Sequence, residues 1–115
     1  MIGIDVVSIK RISCIYARYN NHFLNKLFCE NEKKLIKKDE TLAGFYASKE
    51  AISKALKVGI GKELSFLDII IYKDKKGAVY FNLSNKAKDK FPIKESSLSI
   101  SHDGGFAIAV AFCTI

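Results

Sequence analysis

Tryptophan is absent from this chain of 115 residues, and proline occurs only once. Pro92 aside, there is no repeat, no low-complexity segment and no Gly/Pro/Ser-rich stretch that would read as a linker. Residues 1–115 are therefore expected to form one continuous domain, long enough to bury roughly two-thirds of its unfolded surface. Only Arg11 and Arg18 are arginine among 19 basic residues, which weighs against sequence-specific DNA binding, because base-edge readout leans on arginine's planar fork. Cys14, Cys29 and Cys113 are odd in number, far apart and without a C-x-x-C pair. That weighs against a disulfide framework or zinc site and favours small buried or half-buried thiols in a reducing compartment. No apolar run approaches the roughly 18 residues of a membrane-crossing helix, and no basic segment followed by an apolar block opens the chain. A cytoplasmic protein without membrane contact is expected. Neither G-x-x-x-x-G-K-S/T nor G-x-G-x-x-G occurs, so neither glycine-loop nucleotide fingerprint applies.

What the chain does have is hydrophobic residues at 49% and a net charge of +7. One core and an anionic partner follow: nucleic acid, a membrane surface, a polyphosphate ligand or an acidic protein. Met1 to Val7 reads as a buried strand. Ser8 is a candidate N-cap for a helix with Ile9, Ile12, Ile15, Tyr16 and Tyr19 on one face and Lys10, Arg11, Arg18 and His22 on the other. Glu30 to Glu40 reads as a short charged helix and turn. Thr41 is positioned to cap a helix from Leu42 to about Lys57, ended by Gly59-Ile60-Gly61. Phe66–Tyr72 and Ala78–Leu83 read as a hairpin around Asp74-Lys75-Lys76-Gly77. Ser84 to Phe91 reads as a short helix, and Ser97–Ser101 with Phe106–Phe112 as a second strand pair across His102-Asp103-Gly104-Gly105. Adjacent hairpins rather than strict βαβ alternation predict an α+β domain with a mainly antiparallel sheet packed against the long helix.

Two acids carry the chemistry. Asp5 interrupts the apolar run Met1-Ile2-Gly3-Ile4-Asp5-Val6-Val7, where an ionised carboxylate costs several kcal/mol or more unless a cation or donors compensate it. A hard metal ion is the expected partner. Glu50 lies on the long helix with Ser53, Lys54 and Lys57 at spacings of three and four, so one face offers a carboxylate, a hydroxyl and two ammonium groups. Carboxylates hold Mg²⁺ while water and substrate phosphate complete its octahedron, and lysines neutralise the remaining phosphate charge. Read from that helix alone, an ordinary i,i+4 Glu-to-Lys surface pair is the better account. Gly59 and Gly61 follow, with backbone amides that an anion can approach closely.

Gly3-Ile4-Asp5, the stretch Ala43 to Ala51 with Ser53-Lys54-Ala55, Gly59-Ile60-Gly61 with Leu64-Ser65-Phe66, and Ser99-Ile100-Ser101-His102 together resemble the holo-acyl-carrier-protein synthases. These are the short 4′-phosphopantetheinyl transferases, and the likeness runs from the first residues to Phe112 in the family's order. It implies Mg²⁺-dependent transfer of 4′-phosphopantetheine from coenzyme A to a serine of an apo-acyl carrier protein in fatty acid biosynthesis. Adenosine 3′,5′-bisphosphate is released. It implies Asp5 and Glu50 as metal ligands, Lys54 and Lys49 as phosphate contacts, Gly59 and Gly61 in the coenzyme loop, and His102 as a coenzyme contact or proton acceptor. The acceptor of the serine proton stays open among a metal-bound water, Glu50 and His102. Arg11, Arg18, His22 and Lys26 on the basic first helix are implied for docking the acidic carrier. Homotrimers with coenzyme clefts between subunits are implied as well.

The chain also departs from that family. Phe45 and Tyr46 stand where arginine and phenylalanine are usual, Lys57 where glycine is usual, and Val79 where proline is common. Lys57 or Lys62 is the expected source of the lost positive charge. The competing readings are a small basic nucleic-acid-binding module and a non-catalytic carrier-binding or metal-binding adaptor. The first needs aromatics interleaved with basic residues on an exposed face, whereas the strand aromatics here sit among aliphatic neighbours that suit a core.

Overall fold

A computed structural model describes residues Met1 to Ile115. In chain order it comprises β1 (Ile2–Ser8), α1 (Ile9–Tyr19), α2 (Asn21–Leu27), α3 (Glu30–Leu35), α4 (Asp39–Ala55), a 3₁₀ turn (Phe66–Asp68), β2 (Ile69–Lys73), β3 (Val79–Leu83), α5 (Asn85–Lys90), β4 (Glu95–Asp103) and β5 (Phe106–Thr114). The strands form a three-stranded sheet, β1-β5-β4, and a separate hairpin, β2-β3, with every pairing antiparallel. This is the α+β architecture expected from the pattern, with a second helix, α2, that the sequence reading did not separate.

Small residues decide how closely α4 meets the sheet. Ala43, Ala47, Ala51 and Ala55 recur every fourth position and are fully buried, so they form one stripe down the helix. On β5, Ala107, Ala109 and Ala111 alternate with larger side chains and are buried too, which gives the helix a shallow bed. Contact is tightest at β1, where a Cβ built on Gly3 would fall 1.9 Å from the Ala51 carbonyl oxygen and 2.6 Å from the Ala55 nitrogen. Nothing but glycine fits there without moving the helix.

Local chemistry explains the ends. The Ser8 hydroxyl accepts from Arg11 N and caps α1, as expected, and the Ser84 hydroxyl caps α5 by accepting from Ala87 N. Helix α4 begins at Asp39, two residues before Thr41, so Thr41 lies inside it rather than capping it. Asp39 and Glu40 in the first turn favour that earlier start through the helix dipole. The expected strand at Phe66 begins with a 3₁₀ turn, because Asp68 accepts from Ser65 N and from the Ser84 hydroxyl. His102 belongs to β4, and the turn is narrowed to Gly104 and Gly105, whose φ values of 57° and 83° suit a tight hairpin.

β1 is only half buried, contrary to expectation. Gly3, Asp5 and Val7 turn toward α4, while Ile2, Ile4 and Val6 join Phe106, Val110 and Phe112 on an open face, each between 38% and 65% exposed. Strand aromatics also fail to fill the core: of those in β2, β3 and β5 only Phe81 is buried, and Tyr72 stacks on Tyr80 at the surface. The three cysteines are unpaired, and Cys14 is exposed rather than buried or half-buried.

Gly3→Ala is expected to lower folding stability by about 3 kcal/mol through overpacking. Gly61→Ala, with no atom within 4 Å of the added carbon, should change it by less than about 1 kcal/mol. Urea denaturation of both variants checks the contrast.

Candidate functional site

Strand alternation turns Asp5 inward, and α4 brings Glu50 and Lys54 to meet it. Lys54 Nζ donates to Asp5 Oδ1 at 2.9 Å and to the Ile4 carbonyl at 3.2 Å. Asp5 Oδ2 is buried and has no hydrogen-bond partner. Burial, and then the neighbouring Asp5 charge, push the Glu50 carboxyl above the usual carboxylate range, while Lys54 opposes the rise. The two acids are therefore close enough to repel. Tyr46 belongs to the same group: burial and then Glu50 raise its phenol, and Arg11 of α1 opposes them. Ser53, expected beside Glu50 on the ligand face, is instead fully buried and donates to the Glu50 carbonyl.

The donor set fits a hard divalent ion. An orphaned carboxylate oxygen and a repelled neighbouring carboxylate both gain from a cation between them. No cluster of three acidic, histidine or cysteine side chains exists that could enclose a metal. Two protein oxygens, with water and phosphate for the rest, is the way Mg²⁺ is ordinarily held at phosphate-transferring sites.

Lys49 is not part of this group. It is fully buried, and its ammonium donates to Glu32 Oε1 at 2.9 Å, the Leu27 carbonyl at 2.6 Å and the Phe66 carbonyl at 3.0 Å. Burial lowers its pKa, and Glu32 opposes that. Glu32 is equally buried and also accepts from Cys29 N and Ile71 N. All three ammonium donors are spent, so the expected phosphate contact at Lys49 is corrected to a clasp joining α2, α3, α4 and β2.

His102 lies on the other flank of α4. Asp5 is in register with Ala109 and Ala109 with Ile100, so β1 and β4 stand on opposite sides of β5, about 10 Å apart. The helix rides over β5 between them. Gly44 on α4 leaves room for His102, since a Cβ there would lie 3.2 Å from His102 Nε2. That nitrogen lies 2.9 Å from the Glu40 carbonyl, an acceptor, so it is the nitrogen that donates. His102 opens onto a cleft of about 480 Å³ lined also by Phe45, Lys73, Val79, Tyr80, Ser97 and Ser99.

Lys73 is the cleft residue that sequence reasoning missed. Its Nζ sits 5.8 Å from the centre of the Phe45 ring, which puts an ammonium beside that aromatic. The available signal was the hairpin register, which pairs Lys73 with Val79. Lys57 has a different structural consequence. It takes a left-handed φ of 69°, and Val58 N and Lys57 N close onto the Ser53 and Lys54 carbonyls at the end of α4. The helix ends at Ala55 with Leu56 as its C-cap, so it stops ahead of the Gly59-Ile60-Gly61 segment expected to end it. Gly59 and Gly61 lie in the following loop with open space around them. Arg11, Arg18, His22 and Lys26 are all exposed on α1 and α2.

A helix bedded on an antiparallel sheet, with paired acids on one flank and a cationic cleft on the other, defines the class: an α+β protein built to handle a phosphorylated ligand. Residues 1–111 match the sequence profile of the 4′-phosphopantetheinyl transferase superfamily. The holo-acyl-carrier-protein synthase of Campylobacter lari is 54% identical over 110 residues, covering 96% of this chain and 95% of that protein. A crystal structure of the Helicobacter pylori holo-acyl-carrier-protein synthase in complex with coenzyme A superposes with a TM-score of 0.95 at 52% identity, covering 99% of this chain and 100% of that one. The Bacillus anthracis enzyme in complex with coenzyme A (3′,5′-ADP) gives 0.81 at 36% identity, over 97% and 93%. The chain belongs to the 4′-phosphopantetheinyl transferase superfamily, and within it to the holo-acyl-carrier-protein synthases.

Lys49→Met is expected to cost about 3–5 kcal/mol of stability by stranding Glu32, while leaving the KM for coenzyme A unchanged below the melting temperature. Lys57→Gly should instead stabilise the fold by about 1 kcal/mol by relieving the left-handed backbone. Thermal melts and steady-state kinetics check both.

Proposed function

We propose that this protein transfers the 4′-phosphopantetheine arm of coenzyme A to a serine of an apo-acyl carrier protein in the cytoplasm, serving fatty acid biosynthesis. The observation that carries the reading is the repelling Asp5–Glu50 pair with an orphaned, inward oxygen, on the flank of α4 opposite a cleft holding Lys73 and His102. Family membership supplies the reaction. The serine oxygen bonds to the β-phosphorus of coenzyme A as the bond from that phosphorus to the bridging oxygen breaks. The pair of electrons leaves on adenosine 3′,5′-bisphosphate, and the serine proton passes to a base.

Asp5 and Glu50 would hold Mg²⁺ against the diphosphate, where the ion offsets charge gathering on the leaving phosphate. Lys54 sits beside them to meet the same phosphates, and the open Gly59–Gly61 loop follows the end of the same helix. On the opposite flank Lys73 and His102, with the hydroxyls of Ser97 and Ser99, supply donors for the other anionic end of the coenzyme, while Phe45, Val79 and Tyr80 give apolar walls for its base. Arg11, between the acids and the exposed basic surface formed by Arg18, His22 and Lys26, would draw an acidic carrier toward the site.

One coenzyme cannot readily engage both flanks of the same α4, because the helix stands between them. A second copy solves this. The open sheet face of Ile2, Ile4, Val6, Phe106, Val110 and Phe112 gains from being covered, and a copy seated there would bring its cleft to its neighbour's acids. The family likeness gives three as the number of subunits.

Incubation with coenzyme A, Mg²⁺ and an apo-carrier should add the mass of phosphopantetheine to the carrier. Asp5→Ala and Glu50→Ala should lower that rate by more than about a hundredfold without unfolding the protein. Metal-dependent carrier binding without a mass gain would make the protein an adaptor, and binding to nucleic acid alone would make it the basic module. Lys73→Ala should raise the KM for coenzyme A about tenfold and leave that for the carrier unchanged. An unchanged coenzyme KM there, with a rise at Lys57→Ala or Lys62→Ala, would return the missing charge to the loop.

A further inference from the structure

Lys54 occupies a place suited to a bound cation. Its ammonium is 2.9 Å from Asp5 Oδ1 and also donates to the Ile4 carbonyl, closing one side of the acid pair. The Asp5 side chain is only 15% exposed, whereas that of Lys54 is half exposed and projects from the end of α4 on a flexible stem. Lys49, five residues earlier, is locked by three acceptors; Lys54 has two and room to move.

We propose that Lys54 is an internal counter-ion that competes with the divalent metal for Asp5 in the free protein and is drawn off Asp5 when the metal arrives with the diphosphate of coenzyme A. The proposal deepens the functional reading above and rests on its assignment of Asp5 and Glu50 as metal ligands. Two carboxylates and one ammonium leave the free site with a single net negative charge, a weak attractant for a divalent ion that must shed water to enter. Diphosphate oxygens change both sides of the balance. They complete the metal's coordination, and they offer Lys54 a new acceptor, so leaving Asp5 costs the ammonium little. No backbone movement is needed, because one half-exposed side chain exchanges one anion for another. Loading is thereby ordered: metal alone binds poorly, while metal with coenzyme binds well.

This exchange predicts effects of opposite sign that neither a simple phosphate contact nor a purely structural ion pair produces. In the absence of coenzyme, Lys54→Met and Lys54→Gln should bind Mn²⁺ about three- to tenfold more tightly than the wild type, read from the paramagnetic resonance signal of free Mn²⁺. Lys54→Arg, which keeps the charge, should match the wild type. With saturating coenzyme A the order should reverse, the wild type holding Mn²⁺ more tightly than either neutral variant. If neutral variants without coenzyme bind Mn²⁺ no more tightly than the wild type, or if none binds it, Lys54 is not a competitor and the proposal falls. If the wild type fails to bind Mn²⁺ even with coenzyme A, the metal assignment itself falls and takes the counter-ion with it.

Discussion

Helix α4 lies against β1 with no side chain between them at Gly3, and the meeting of Asp5 with Glu50 and Lys54 depends on that contact. The alanines at 43, 47, 51 and 55 and the alternating alanines of β5 let the helix sink onto the sheet, so Asp5, one inward position beyond Gly3, comes near enough for its charge to act on Glu50. A Cβ on Gly3 would meet the Ala51 carbonyl and push the helix away from the strand that carries Asp5. The same closeness fixes the other flank, where Gly44 makes way for His102. A helix bedded this low is a wall as well as a platform, since it divides the acid pair from the cationic cleft.

Two lysines show how helix phase assigns a role. Lys49 and Lys54 are five residues apart, about 140° round the helix. One phase turns inward, where burial would be ruinous without Glu32, and the three carbonyl and carboxylate acceptors around its ammonium stitch α2, the 3₁₀ turn and α3 to α4. The other phase turns to the edge of the sheet and to Asp5. Residue type is identical, yet the first is architecture and the second electrostatics at the site.

Much of this was legible in the sequence where a local rule governs. Ser8 as a cap, the glycine turn between β4 and β5, the hairpin around Asp74 and an acid misplaced in an apolar strand all follow from short-range chemistry. Asp5 and Glu50 were legible together only through the family resemblance, because nothing in their spacing of 45 residues says that they meet. The start of α4 escaped because Thr41 offered a cap while Asp39 and Glu40 offered a dipole interaction, and the latter prevailed. Lys49 misled because a lysine gives no sign of its burial until Glu32, 17 residues earlier, is placed beside it. Lys73 was hidden for a related reason: it enters the cleft from the hairpin and meets Phe45 only in the tertiary fold. The half-exposed first sheet escaped because an apolar strand reads alike whether its own chain or a second copy covers it.

The account turns on the acids and the cleft being useful only across a subunit boundary, and mixed oligomers test that directly. Asp5→Ala protein and His102→Ala/Lys73→Ala protein would each be assayed alone for carrier modification, then unfolded together and refolded as a one-to-one mixture. Each alone should be nearly inactive, whereas the mixture should recover activity approaching about a quarter of the wild-type value, the share of boundaries at which intact acids meet an intact cleft. A mixture no more active than its two components would contradict the shared site and return the whole reaction to a single chain.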